Sequence, residues 1–173
     1  PISEFANKAC SGRGDEIRKC LRCCVCYPGP AGEHETDPGF PVKLGSCTIN
    51  PHNVNSFSHH KIMPEDMPKP KASRRVLIVG GGPGGMQAAI DAADRGHKVI
   101  LADNSDRLGG ILKITDYDYY KKDLHDFKEL LIREIGKRNI EIRLNTHVTA
   151  EMIKDLKPEA LIIAIGAEQI VPP

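Results

Sequence analysis

Residues 76–85 read VLIVGGGPGG, and this stretch decides the fold. Its first four residues are apolar and predict a buried parallel strand. Met86, Ala89 and Ile90 follow at helical spacing, which predicts a helix that begins near residue 84. The glycines between the two elements fit the pattern G-x-G-x-x-G. A strand, a glycine loop and a helix in this order predict a βαβ unit that binds a dinucleotide.

The three glycines of the pattern have different expected roles. Gly80 makes the tight turn after the strand, Gly82 lets the backbone approach a pyrophosphate, and Gly85 lets the helix pack close to the strand. Pro83 and Gly84 complete a loop whose free N–H groups and helix dipole favour a bound phosphate. The alternative is a tight turn without a ligand.

An acidic residue stands where such a unit binds a ribose. Asp103 follows Gly85 by eighteen residues, at the end of a second predicted strand over residues 98–102. A carboxylate there accepts hydrogen bonds from a ribose 2′-OH and repels a 2′-phosphate, which favours FAD or NAD over NADP. The alternative is a surface acid with no ligand.

Two further segments favour FAD over NAD. Residues 103–110 read DNSDRLGG, and their amides and arginine can continue the cradle past the pyrophosphate. Residues 164–167 read AIGA, where small side chains let the backbone lie against the nucleotide. The additional contacts expected from these segments are Asn104, Arg107, Gly109, Gly110, Ala164 and Gly166.

Strands and helices alternate through the rest of residues 72–173. Apolar patterns predict a helix over 120–137 and strands over 140–144 and 160–165. Thr149 can cap a short helix that ends near residue 156. This order predicts an α/β fold with a doubly wound, Rossmann-like parallel sheet. We expect Tyr117, Tyr119 and Tyr120 to pack the 120–137 helix rather than to form a cofactor platform.

Residues 1–71 form a loop-rich segment of different composition. They contain all six cysteines and most of the prolines, with a short helix expected near residues 15–21. Residues 63–71 resemble an extended, proline-stiffened linker. So long a loop-rich segment buries little core, and a metal cluster would stabilise it. Cys10 is isolated and is expected to be structural.

The cysteines have the spacing of a metal cluster. Two residues separate Cys20 from Cys23 and Cys23 from Cys26, and Cys47 follows after twenty more. Three closely spaced thiolates and one remote thiolate can hold a [4Fe–4S] cubane. A tetrahedral zinc site is the second interpretation and free thiols are the third. Cys24 is adjacent to a ligand and is expected to point away.

Composition limits the other classes of function. The formal net charge is +1, which gives no indication of a nucleic-acid partner. No apolar run approaches the length of a membrane span, and the first residues do not resemble a signal peptide. We therefore expect a cytoplasmic protein. Its first and last residues suggest a fragment of a longer chain.

The combined motifs resemble one family of enzymes. Residues 17–23 (IRKCLRC), residues 47–51 (CTINP), the glycine loop and residues 106–110 (DRLGG) are similar to the iron–sulfur flavoenzymes of the old yellow enzyme superfamily. This family includes NADH:flavin oxidoreductases, 2,4-dienoyl-CoA reductase, enoate reductases and trimethylamine dehydrogenase. Many members have the third cysteine one residue later, where this chain has Tyr27, and a shorter gap before the fourth.

The resemblance implies an electron-transfer segment of a longer enzyme. It implies cluster ligands at Cys20, Cys23, Cys26 and Cys47, and FAD contacts that include Gly80, Gly82, Gly85, Asp103 and Arg107. An FMN barrel that reduces an activated C=C bond would precede this segment, and an NAD(P)H domain would interrupt the FAD domain. This fragment alone would then be inactive. The alternative is a nucleotide-binding regulatory module with a structural zinc site.

Overall fold

A computed structural model of the chain describes residues 2–23, 47–50 and 70–167, and it divides into two units, Pro1–Pro68 and Lys69–Pro173. The assignment of residues 1–71 to a cluster segment and of 72–173 to an FAD-binding domain stays a prediction. In the described residues, no helix is both long and apolar enough to cross a membrane.

The first unit contains one α-helix and one short 3₁₀ helix in its described part. Helix α1 spans Ile2–Cys10, and a three-residue 3₁₀ helix spans Gly14–Glu16. The helix expected near residues 15–21 is wrong beyond Glu16, because Ile17 is already extended. One short turn forms too few hydrogen bonds to offset the cost of nucleation. Cys10 is a free, exposed thiol, so the expected structural role has no support.

The second unit is an α/β sandwich around a parallel sheet. Its strands are β1 (Arg75–Val79), β2 (Lys98–Ala102), β3 (Ile140–Arg143) and β4 (Ala160–Ile163), in the order β3-β2-β1-β4. Its α-helices are α2 (Pro83–Asp94), α3 (Lys122–Gly136) and α4 (Ala150–Leu156), and two 3₁₀ helices span Gly110–Asp116 and Tyr119–Lys121. Because β4 returns to the far side of β1, the winding reverses there. The doubly wound parallel sheet is confirmed.

The core lies between one face of the sheet and the first two helices of this unit. Val76 and Ile78 of β1 point to the same face because strand residues alternate. They pack with residues of β2, α2 and α3 in one buried cluster, which includes Val99, Leu101, Met86, Ala89, Ile90, Leu131 and Ile135. Burying each such large apolar side chain stabilises the fold by about 1.5–3 kcal/mol. This packing fixes where α2 begins relative to the end of β1.

Local signals explain where helices start. Pro83 is the first residue of α2, where its missing N–H costs no helical hydrogen bond. Thr149 caps α4 as predicted, because its hydroxyl accepts the N–H of Met152 at 3.3 Å.

The tyrosines before α3 do not pack against it. Tyr117, Tyr119 and Tyr120 are 83%, 84% and 96% exposed, so the expectation that they pack this helix is wrong. Asp118 caps the 3₁₀ helix Tyr119–Lys121 by accepting the N–H of Tyr120, and this turn directs the rings of Tyr119 and Tyr120 outward. Tyr119 and Tyr120 contact each other edge to face, with ring centroids 6.0 Å apart.

Candidate functional site

The first glycine after β1 makes a turn that other residues would strain. Gly80 has φ +109°, and a Cβ added to it would lie 2.3 Å from the carbonyl oxygen of Ala164. Its N–H donates to the Ala102 carbonyl at 2.8 Å, and the N–H of Ala164 donates to Val79 at 2.7 Å. The carboxyl ends of β1, β2 and β4 therefore meet at Gly80. Open parallel sheets bind their ligands where the winding reverses in this way.

The third glycine of the motif allows close contact between α2 and this turn. A Cβ on Gly85 would lie 1.8 Å from the carbonyl oxygen of Gly80, a distance that no side chain can occupy. The same Cβ would lie 3.4 Å from the Cβ of Ala164. Glycine at 85 is therefore required by the fold itself.

The second glycine has no such requirement within the protein. Gly82 is the N-cap of α2 with extended backbone angles, φ −74° and ψ −179°. A Cβ there would meet only the Cα of Gly110, at an ordinary contact distance of 3.8 Å. Gly84 has open space at the same position. The loop is thus open at the helix N-terminus, where free N–H groups and the helix dipole favour a phosphate.

A second glycine pair covers the first loop. Gly109 and Gly110 have φ +124° and +54°, and the N–H of Gly109 donates to the carbonyl of Gly81 at 2.9 Å. A Cβ on Gly110 would lie 2.7 Å from the Cα of Gly82. The segment that was predicted to continue the cradle therefore lies directly against the glycine loop.

Asp103 connects the two loops. It is only 9% exposed, and its Oδ2 accepts the N–H of Gly81 at 2.5 Å while its Oδ1 accepts the N–H of Ser105 at 2.7 Å. Burial alone would raise the pKa of Asp103, but hydrogen bonds from Gly81 and Ser105 together with the nearby Lys113 charge outweigh burial and hold the pKa below its usual value. The group is therefore a carboxylate at neutral pH, and each oxygen retains a lone pair for a ribose hydroxyl.

A buried lysine supports the second glycine pair. Lys128 of α3 is 4% exposed, and its Cδ would lie 3.0 Å from a Cβ on Gly109. Its ammonium group donates to Asp116 and lies 3.2 Å from Glu129. Arg107 forms an ion pair with the other oxygen of Asp116 at 3.1 Å. Hydrogen bonding from Lys128 is the main cause that lowers the pKa of Asp116.

The other predicted contacts lie on the segments that follow β2 and β4. Asn104 is exposed beside Asp103, and Gly166 has φ +75° after the end of β4. Ala164 contacts the turn at Gly80, as described above. Arg107 is held by Asp116. Sequence reasoning missed Lys128 and Asp116, although a lysine within the apolar stripe of α3 was a signal that could have indicated them.

The cysteine segment brings distant residues together. Cys20, Cys23 and Cys47 are free thiols. The sulfur of Cys23 lies 3.2 Å from the Thr48 hydroxyl oxygen, next to Cys47 in sequence. The guanidinium of Arg18 donates to the Ile49 carbonyl, which joins the same two segments. Cys24 and Cys26 lie outside the described residues. Thiolates bind soft metals, and the ligation predicted for Cys20, Cys23 and Cys47 stays a prediction.

The sequence of the second unit matches a known family model. The model for FAD dependent oxidoreductases matches residues 75–161, from the start of β1 into β4. This chain belongs to the FAD-dependent oxidoreductase family. The open loop at Gly82, the helix N-terminus and the Asp103 carboxylate fit the ADP half of FAD.

Relatives of this FAD-dependent oxidoreductase are much longer. The NADH oxidase of Thermoanaerobacter brockii is 36% identical over 170 residues, which are 98% of this chain and 24% of that protein. The cinnamate reductase of Clostridium sporogenes is 30% identical over 168 residues, or 95% of this chain and 23% of that protein. A solved structure of 2-naphthoyl-CoA reductase superposes with a TM-score of 0.75 and 29% identity, covering 97% of this chain and 24% of that one. The chain thus spans about a quarter of the relatives' length, and the predicted resemblance is confirmed at the level of family.

Proposed function

We propose that this chain is the FAD-binding and iron–sulfur segment of an NAD(P)H-dependent oxidoreductase that reduces an activated C=C bond or a similar substrate. When bound, FAD would accept hydride from NAD(P)H and a [4Fe–4S] cluster would pass single electrons towards an FMN barrel. The barrel and the NAD(P)H domain would belong to further parts of a longer protein. A cytoplasmic location, without membrane or nucleic-acid partners, stays part of the proposal.

The observation that carries the proposal is the open glycine loop at the start of α2. Gly80 and Gly85 are explained by the contacts that their missing side chains permit, whereas Gly82 is not. A ligand group that occupies that space and contacts the backbone explains why residue 82 is a glycine. Pyrophosphate fits because the space adjoins a helix N-terminus.

Each predicted contact then has a role in binding. The loop N–H groups near Pro83 and Gly84 would donate to the pyrophosphate, and Asp103 would accept from the ribose hydroxyls. Asn104 and the turn at Gly109 and Gly110 would border the same nucleotide. Arg107, Ala164 and Gly166 would lie further along it, towards the flavin. None of these groups needs to change its protonation state, so their task is to bind and orient.

Cys20, Cys23, Cys26 and Cys47 would ligate the cluster. The support is the convergence of residues 18–23 with residues 47–50 through Thr48 and Ile49. The names of the relatives, NADH oxidase and cinnamate reductase among them, support a reductase that uses NADH. They concern whole proteins of which this chain covers about a quarter.

One set of measurements tests the proposal against a regulatory zinc module. After anaerobic reconstitution and addition of FAD, we expect flavin absorption bands, a broad brown shoulder and about four irons per chain. Gly82→Val should lose the flavin but keep the iron. A colourless protein that binds one zinc, with no affinity for FAD, would favour the regulatory alternative.

A further inference from the structure

The contact between Cys23 and Thr48 joins two parts of the chain that are far apart in sequence. The two residues are 25 positions apart, and their Sγ and Oγ1 atoms lie 3.2 Å from each other. This distance is within hydrogen-bonding range for a sulfur acceptor. In the free thiol, either atom could be the donor.

Ligation would remove this ambiguity. A cysteine that binds iron does so as a thiolate and has no proton to donate. The Thr48 hydroxyl is then the donor and the Cys23 sulfur is the acceptor. We propose that Thr48 donates a hydrogen bond to the ligating sulfur of Cys23 and thereby raises the reduction potential of the cluster. This inference rests on the proposed iron–sulfur function.

The direction of the change in reduction potential follows from charge. One-electron reduction adds one negative charge to the cluster, and part of that charge falls on the thiolate sulfurs. A donor to a sulfur therefore stabilises the reduced state more than the oxidised state. Removing the donor should make the cluster harder to reduce.

Thr48 is held in place by its neighbours and not only by the sulfur. The N–H of Asn50 donates to the Cys47 carbonyl at 3.3 Å, which closes a turn around Thr48 and Ile49. Ile49 is 6% exposed, and its carbonyl accepts from Arg18. A substitution at Thr48 can therefore remove the hydroxyl while the turn keeps its anchors.

A similar contact at another cysteine is made by the backbone. The N–H of Arg22 donates to the Cys20 sulfur at 3.3 Å. Backbone donors cannot be removed by changing a side chain, whereas the Thr48 hydroxyl can. Because Thr48 is itself exposed, a water molecule is the competing donor after its removal.

The test is potentiometry, followed by EPR, on the full 173-residue chain reconstituted with iron and sulfide. Thr48→Val keeps the shape of the side chain and should lower the potential, with about a tenfold change in the one-electron equilibrium constant, or ~59 mV. Thr48→Ala should behave in the same way, and Thr48→Ser should stay close to the wild type. Beside the Arg22 N–H, which all four proteins keep, ENDOR of the reduced cluster should show a second exchangeable proton in the wild type and Thr48→Ser that both other variants lack.

The possible outcomes distinguish a failure of this inference from a failure of the proposed iron–sulfur function. If the wild type binds no cluster, the proposed function fails and this inference fails with it. If all four proteins bind equal iron and have equal potentials, the cluster assignment stands and the role of Thr48 is overturned. If Thr48→Ser shifts as far as Thr48→Val, the methyl packing and not the hydroxyl sets the potential, and the inference is also wrong.

Discussion

The carboxylate of Asp103 accepts the backbone N–H of Gly81, at 2.5 Å, across the edge of the sheet. Its other oxygen accepts the N–H of Ser105. The acid that the sequence predicts as a ribose ligand is therefore also a structural support for the glycine loop. Two backbone donors depend on it, one buried and one partly buried, and such donors are costly when left without an acceptor.

We expect Asp103→Asn to destabilise the fold as well as to weaken nucleotide binding. The amide group can offer an oxygen to only one of the two N–H donors and points its own N–H groups at the other. The free energy of unfolding in urea should fall by roughly 1–3 kcal/mol. Asp106→Asn, which changes an exposed neighbouring acid, should have little effect. Equal losses in the two variants would contradict the support role.

The contribution of Asp103 should depend on pH. Its pKa is below the usual value in the folded state, so it stabilises the fold above the unfolded pKa of about 3.9. This contribution is lost as pH falls through the folded pKa. The stability gap between the wild type and Asp103→Asn should thus be constant above about pH 5 and should close at lower pH. Urea unfolding of both proteins between about pH 3 and pH 7 measures this difference in stability. A difference that widens on acidification would show that the pKa of Asp103 is not lowered in the folded state.

The glycines of the loop should separate into structural and ligand-binding positions. Gly85→Ala would place a Cβ 1.8 Å from a carbonyl oxygen, so we expect about 3 kcal/mol of destabilisation or failure to fold. Gly82→Ala has room in the free protein, so the thermal midpoint should change little while ADP affinity falls by about tenfold or more. Calorimetry with ADP measures the second effect.

A glycine elsewhere provides the matched control for this pair. Gly136 ends α3, and a Cβ there meets nothing within 4 Å. Gly136→Ala should keep both the stability and the ADP affinity. If Gly82→Ala binds ADP as tightly as Gly136→Ala does, the pyrophosphate does not lie at this loop.

The sequence predicts the sheet well because strong apolar runs and glycines determine it. The strands are predicted from local pattern alone, as in the apolar run VLIV before the glycines. Their arrangement in a parallel sheet follows from the rule of right-handed crossovers. The tyrosines at 117, 119 and 120 were misjudged because local 3₁₀ turns, and not hydrophobicity, set their direction. Tyr117 follows one 3₁₀ helix, and Tyr119 and Tyr120 lie in the next. Lys128 was missed because lysine is usually solvated, and its burial depends on a partner twelve residues away in sequence.

Lys128 should be important for nucleotide binding without contacting the nucleotide. Its stem lies beneath Gly109 and its ammonium holds Asp116, so it fixes the turn that covers the glycine loop. Lys128→Met keeps the apolar stem but removes the ammonium group from Asp116, which keeps Arg107 and His125 as neighbours. We expect about tenfold weaker ADP binding, because the second loop would be less ordered before binding. Lys122→Met, on the exposed side of the same helix, is the control, and equal ADP affinities in the two variants would refute this role.

Replacement of different cysteines by serine should have different effects on the iron content of the reconstituted chain. Cys47→Ser should abolish or degrade the cluster, because a cubane needs four thiolates. Cys24→Ser should keep the iron, since Cys24 is not expected to be a ligand. Cys10→Ser is a second control at a free, exposed thiol. Iron analysis and absorbance after anaerobic reconstitution test this, and loss of iron from Cys24→Ser with retention in Cys47→Ser would reverse the ligand assignment.

We predict that the 173-residue chain binds ADP but does not sustain NADH oxidation. Hydride transfer requires a nicotinamide held against the flavin ring, and the NADH oxidase of Thermoanaerobacter brockii is about four times as long as the part that this chain covers. The contacts described here, at Gly82, Gly110 and Asp103, would all be to the ADP half of FAD. ADP and FAD should therefore compete with similar affinity.

An assay of NADH oxidation with added FAD and an artificial acceptor, corrected for free flavin, tests this prediction. The expected rate equals that of free flavin, with Gly82→Val indistinguishable from the wild type. Steady turnover by the wild type that Gly82→Val abolishes would place a complete nicotinamide site within these 173 residues. The proposal that the nicotinamide binds in another part of a longer enzyme would then be wrong, although the assignment of the glycine loop to nucleotide binding would remain.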